Sequence, residues 1–119
     1  DDKIAWYEND GGGGFGPPQV ITTAADGAWS VFATDLDGDG DQDVLSASAN
    51  DDKIAWYENQ GSGVFGAQQV ISTAMMAAVS VHATDLDGDG DADVLSASIL
   101  DDKIAWYENL GSGSSGRNR

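Results

Sequence analysis

Short runs of alternating apolar and polar residues recur along this chain in a fixed order. Trp29-Ser30-Val31-Phe32-Ala33-Thr34 has the two-residue period of a strand and is rich in β-formers. Val44-Leu45-Ser46-Ala47-Ser48 predicts a second strand, Lys53-Ile54-Ala55-Trp56-Tyr57-Glu58 a third, and residues 65–71 a fourth. Turn-forming clusters divide them, Asn50-Asp51-Asp52 before the third strand and Asn59-Gln60-Gly61-Ser62-Gly63 after it. Residues 72–78 lead into the next cycle, and no window has a convincing helical period. In the third strand Ile54 and Trp56 point one way while Ala55 and Tyr57 point the other. Apolar groups on both faces predict a sheet packed on both sides rather than one with a wet face.

The cycle is fifty residues long. Residues 1–50 and 51–100 are identical at 36 of 50 positions, and Asp-Asp-Lys-Ile-Ala-Trp-Tyr-Glu-Asn stands at 1–9, 51–59 and 101–109. A period in this range means a solenoid, a propeller or another array. Four short antiparallel strands per unit is the pattern of a propeller blade. The expected fold is therefore all-β, with two blade-equivalents of a β-propeller over residues 1–109 and a flexible tail over 110–119. The predicted strands leave one third strand over. A ring needs about four to eight blades, so the expectation is an incomplete ring closed by head-to-tail homo-oligomerisation. Three chains would give about six blades and four about eight. The first and third copies of the nine-residue motif would then compete for one place per junction, with one copy displaced or disordered.

Charge narrows the partners. The chain has 119 residues, with 21 Asp+Glu against 5 Lys+Arg and a formal net charge of -16. Such a surface disfavours nucleic acid, whose phosphates need basic groups, and anionic membrane surfaces. There is no cysteine, hence no disulfide framework or thiolate chemistry. No apolar run has membrane-spanning length, and no signal peptide is recognisable. A chain starting at Asp1 is expected to be processed or excised from something longer.

Ten of the acids lie in two loops, Asp35-Leu36-Asp37-Gly38-Asp39-Gly40-Asp41-Gln42-Asp43 and Asp85-Leu86-Asp87-Gly88-Asp89-Gly90-Asp91-Ala92-Asp93. Five carboxylates in nine residues repel one another and lose water as a loop closes. A bound hard cation resolves this, and calcium, which takes about six to eight oxygen ligands in flexible geometry, suits it best. The candidate metal residues are thus Asp35, Asp37, Asp39, Asp41 and Asp43, and Asp85, Asp87, Asp89, Asp91 and Asp93, with one Ca2+ per loop. An EF-hand is excluded. Gly40 does stand sixth from Asp35, but the twelfth positions are Ser46 and Ser96 rather than Glu, and the flanks are β-rich.

The loops resemble the Asp-x-Asp-x-Asp-Gly-x-x-Asp loop of integrin-α-type β-propellers, the FG-GAP/VCBS repeat family. The matching residues are Asp35, Asp37, Asp39, Gly40 and Asp43, then Asp85, Asp87, Asp89, Gly90 and Asp93. Phe15-Gly16 and Phe65-Gly66 are similar to the family's Phe-Gly. Its Gly-Ala-Pro element is replaced by Ser46-Ala47-Ser48 and Ser96-Ala97-Ser98. The resemblance implies that each loop joins the first two strands of a blade and binds calcium. It implies as ligands the first, third, fifth and ninth side chains, with the backbone carbonyls of Asp41 and Asp91.

The remaining residues favour packing. Trp6, Trp56 and Trp106 sit in alternating strands, where core or inter-blade contact outweighs stacking on sugars. His82 replaces Phe32 and reads as a packing variation, Met75 and Met76 as gap fillers, and Lys3, Lys53 and Lys103 as neutralisers of neighbouring Asp pairs. No carboxylate pair stands apart from the metal loops as in a glycosidase, and no nucleophile has a base, so no enzyme is expected. The expected function is an extracellular or cell-surface calcium-binding scaffold with a protein or glycan ligand. A lectin-like, carbohydrate-binding propeller and an engineered or excised fragment without a function of its own are the alternatives.

Overall fold

The computed structural model describes residues 2–111 and 115–118. The alternating runs become β1 (Ile4–Trp6), β2 (Gln19–Thr22), β3 (Ala28–Thr34), β4 (Asp43–Ser48), β5 (Lys53–Tyr57), β6 (Gln69–Ser72), β7 (Ala78–Thr84), β8 (Asp93–Ser98), β9 (Lys103–Asn109) and β10 (Ser115–Asn118). Among the described residues there is no helix. The sheets are antiparallel and run in sequence order: β1-β2, then β3-β4-β5-β6, then β7-β8-β9-β10. Up-and-down sheets of four strands are the form that propeller blades take, and the described residues are all-β with no closed barrel, as in an incomplete propeller.

The fourth strand is shorter than the alternation predicts. Phe65 makes only an isolated bridge with Asn59, and the ladder resumes at Gln69 opposite Trp56. Between them the chain bows so that the Gln68 amide reaches the Tyr57 hydroxyl at 2.8 Å and accepts from Lys53 Nζ at 2.9 Å. Gln68 thereby satisfies the polar ends of Tyr57 and Lys53 beside the core. Within the 110–119 segment expected as a flexible tail, Ser115 pairs with Asn109 and Asn118 with Tyr107. Ser115 thus takes the place that Phe65 takes one period earlier. Residues 112–114 and 119 lie outside the described residues.

The sheets stack through both faces, as the two-sided apolar pattern requires. Leu45, Ala47, Ile54 and Trp56 pack against Ala78, Val81 and Ala83 of β7 and, behind them, Val94, Ala105 and Tyr107. Val44, Ala55 and Tyr57 meet Ile4 and Ala25. Met75 is fully buried in the first cluster, and the Phe32 and His82 rings lie 4.3 Å apart, so both fill space, whereas Met76, read from the sequence as a second gap filler, is exposed on the surface. Trp56 is buried in that core and offers no face to a sugar.

Identical side chains differ sharply at the ends of the array. Ile54 is 0% exposed and Ile104 76%; Leu36 is 3% exposed and Leu86 44%. Val81 is 5% exposed where Val31 is 56%. Beside Val31 lies a cleft of about 500 Å³ lined by Ile4, Ala5, Trp29 and Val31 among others.

Candidate metal centres

Each acidic loop connects the first two strands of a four-stranded sheet, β3 to β4 and β7 to β8. The chain turns there through Gly38 (φ +78°) and Gly40 (φ +93°), and again through Gly88 (+79°) and Gly90 (+94°). These are left-handed conformations that side chains resist. The turn aims backbone N–H groups inward. Gly38 and Asp39 donate to Asp35 Oδ1 at 2.8 and 3.2 Å, and Gly40 donates to Asp35 Oδ2 at 2.9 Å. Asp41 N–H donates to Asp39 Oδ1 at 2.9 Å. The second loop repeats these contacts on Asp85 and Asp89 within 0.1 Å.

Carboxylate oxygens from Asp35, Asp37, Asp39 and Asp43 lie within 4.8 Å of one another, as do those from Asp85, Asp87, Asp89 and Asp93. Two oxygens on opposite sides of a calcium ion, each at about 2.3–2.6 Å, are separated by a similar distance. The donor set is all oxygen and heavily anionic, so its chemistry fits a hard divalent cation. The side chains of Asp41 and Asp91, also expected as candidates, are not in these gathered sets.

The ninth carboxylates are built into the fold. Asp43 and Asp93 begin β4 and β8 and are buried. Asp43 Oδ2 accepts from Leu36 N–H at 2.8 Å and Oδ1 from Asn59 N–H at 2.8 Å. Asp93 accepts from Leu86 at 2.9 Å and Asn109 at 2.8 Å. Asn59 and Asn109 thus hold the ninth carboxylates, a role that loop spacing did not reveal. Their signal was the Asn ending every copy of the nine-residue motif.

Burial and mutual proximity perturb the carboxyls of both loops. Burial, then the charge of Asp43, pushes the Asp37 carboxyl up to about 7. Burial also raises Asp43. Asp87 is raised by desolvation and then by its hydrogen bond with Asp89. Asp85 is held below its usual range, chiefly by the N–H of Gly90. Away from the loops, Lys53 pairs with Asp51 at 3.0 Å and Lys103 with Asp101 at 3.2 Å.

A family model of FG-GAP-like repeats matches residues 1–46 and 35–96. Neither the curated proteins nor the solved structures give a match.

Proposed function

The chain belongs to the FG-GAP-like repeat family, a propeller-type scaffold, and from that premise we propose that it is a calcium-braced interaction module that assembles head to tail. The observation carrying the calcium reading is the convergence of four carboxylates per loop within 4.8 Å. Asp35, Asp37, Asp39 and Asp43 would hold one ion, and Asp85, Asp87, Asp89 and Asp93 the other. The ion supplies positive charge that offsets mutual repulsion and ties the first two strands of each sheet together. The residues themselves position the ligands, Asp43 and Asp93 through buried backbone contacts and Asp35 and Asp85 through the glycine turn.

Assembly is supported by the exposure differences between repeats. The face containing Ile104 and Leu86 corresponds to the one that Ile54 and Leu36 bury against β7. Val31 corresponds to Val81, which helps cover that face. The two exposed faces therefore have the chemistry of the buried interface, and a further blade of the same kind, supplied by a second copy, suits the cleft beside Val31. Among the described residues no helix is long and apolar enough to cross a membrane. A location outside the cell or on its surface, where calcium is abundant, agrees with family type and with loops that need the ion.

Thermal unfolding and light scattering with excess calcium and with excess chelator test both parts. The expected result is a higher melting temperature and a larger particle with calcium. Identical melting curves would refute the ion, and a monomer mass at all concentrations would refute the assembly.

A further inference from the structure

The two acidic loops belong to different sheets, yet one side chain touches both. Asn109, buried at the end of β9, donates its backbone N–H to Asp93 Oδ1 at 2.8 Å. Its Nδ2 donates to the carbonyl of Leu36 at 2.7 Å and to that of Ala92 at 2.9 Å. Leu36, the second residue of the first loop, is also buried, and its own N–H donates to Asp43 Oδ2 at 2.8 Å. The ninth carboxylates of both loops are thus joined without a gap: Asp43 to the Leu36 backbone, Leu36 to Asn109, Asn109 to Asp93. The counterpart Asn59 holds Asp43 in the same way, but its Nδ2 donates to Gln42 within its own loop at 3.0 Å.

We propose that Asn109 is a positioning residue that couples the two metal loops, so that calcium at one raises the affinity of the other. The proposal rests on the calcium reading above. Buried hydrogen bonds have no water to replace them, so a shift of Asp93 toward an ion must carry Asn109 with it or break a bond. Asn109 holds the Leu36 peptide, and Leu36 orients Asp43. The first ion orders this path, and the second finds its buried ligand already aimed. The effect is reciprocal, because coupling between binding sites has one value in both directions.

Calorimetric calcium titrations of the full chain test this in two backgrounds. Disabling the second loop with Asp85→Ala and Asp87→Ala should weaken calcium at the first loop by at least about fivefold, the lower end of typical coupling. In an Asn109→Ala background the same change should weaken it by less than about twofold. Charge repulsion between loops survives Asn109→Ala, so equal weakening in both backgrounds, or none in either, overturns the proposal. A second readout avoids the Asn109 variant altogether. With the first loop disabled by Asp35→Ala and Asp39→Ala, filling the second loop with calcium should shift the Asp37 amide NMR resonance, which shares its peptide with the Leu36 carbonyl. A resonance that stays still overturns the coupling. Calcium heat without coupling refutes this inference alone, whereas no calcium heat in the intact chain refutes the calcium reading beneath it.

Discussion

Replacing Asp37 with Asn should change the sign of its effect on stability when calcium is added. The side chain keeps its shape and one acceptor oxygen; it accepts a long backbone contact from Asp39 N–H at 3.3 Å and shares hydrogen bonds with the Asp39 and Glu58 carboxyls, to which an amide can donate. What it loses is a charge whose chief repulsion is with one neighbour, the Asp43 carboxylate, gathered with it within 4.8 Å. A like-charge pair at that distance costs about 1 kcal/mol with the screening of water and about 3 kcal/mol at an effective dielectric of about 20. Asp37 is only half-buried, so the lower figure applies. In chelator, Asp37→Asn should therefore stabilise the protein by about 1 kcal/mol and raise Tm by about 3–6 °C for a chain of this size. In calcium at about a hundred times Kd, an intact site contributes about 2.7 kcal/mol. Losing a charged ligand should weaken the site about a hundredfold, since removing even an outer-shell partner costs about 10–100-fold. At the same free calcium the site then contributes about 0.4 kcal/mol. The variant should consequently melt below the parent in calcium, by about 1 kcal/mol net. Calorimetric melts of both proteins, in excess chelator and in excess calcium, read this directly. A drop of equal size in both buffers would refute the reasoning, because Asp37 would then be supporting the fold and not the ion.

Three further outcomes follow from the same geometry. In chelator, stability should rise as pH falls from about 8 towards 5, because raised carboxyls such as Asp37, pushed up to about 7, bind more protons folded than unfolded in that window; melts across pH check this, and excess calcium should reverse the slope because protons then compete with the ion. Gly40→Ala should cost about 1–2 kcal/mol in chemical denaturation: a Cβ there meets nothing within 4 Å, so the whole cost is the backbone at φ +93°. Ile104→Asp should leave monomer stability nearly unchanged and abolish any concentration-dependent mass in light scattering, whereas Ile54→Asp, at the equivalent position, should prevent folding, since one side chain is 76% exposed and the other 0%.

The sequence made the sheet legible wherever a side chain reported its own surroundings. Ile54 and Trp56 against Ala55 and Tyr57 announced a strand packed on both faces, and those residues do divide between two clusters. In the loops, spacing named all five carboxylates as candidates; only the resemblance to the family's loop singled out the first, third, fifth and ninth, which are the four gathered within 4.8 Å. β10 was hidden for the opposite reason. Its predecessor is marked by Val64 and Phe65, and serines stand at 114 and 115. The pairing of Ser115 with Asn109 uses the backbone, which composition does not report. The short fourth strand was hidden because Gln68 was read as one more strand residue rather than as a partner for Tyr57 and Lys53.

Asn109 marks a different limit. Local pattern describes what one repeat does to itself, and Asn59 and Asn109 have identical local pattern. Their amides diverge because Leu36, 73 residues before Asn109, belongs to a sheet packed against β7, while Asn59 has no described loop at the corresponding place. The same holds for Ile54 and Ile104. Position in the array, rather than residue identity, decides whether these groups are buried, bonded or exposed. Near-identical repeats therefore encode one interface twice over, and the physical differences between them arise where that interface is filled in one repeat and open in the next. If Asn59 meets Leu86 of another copy when the open face is covered, assembly would extend the path between metal loops from two sites to the whole ring. Calcium affinity should then rise with protein concentration in the intact chain and be independent of it in Asn59→Ala.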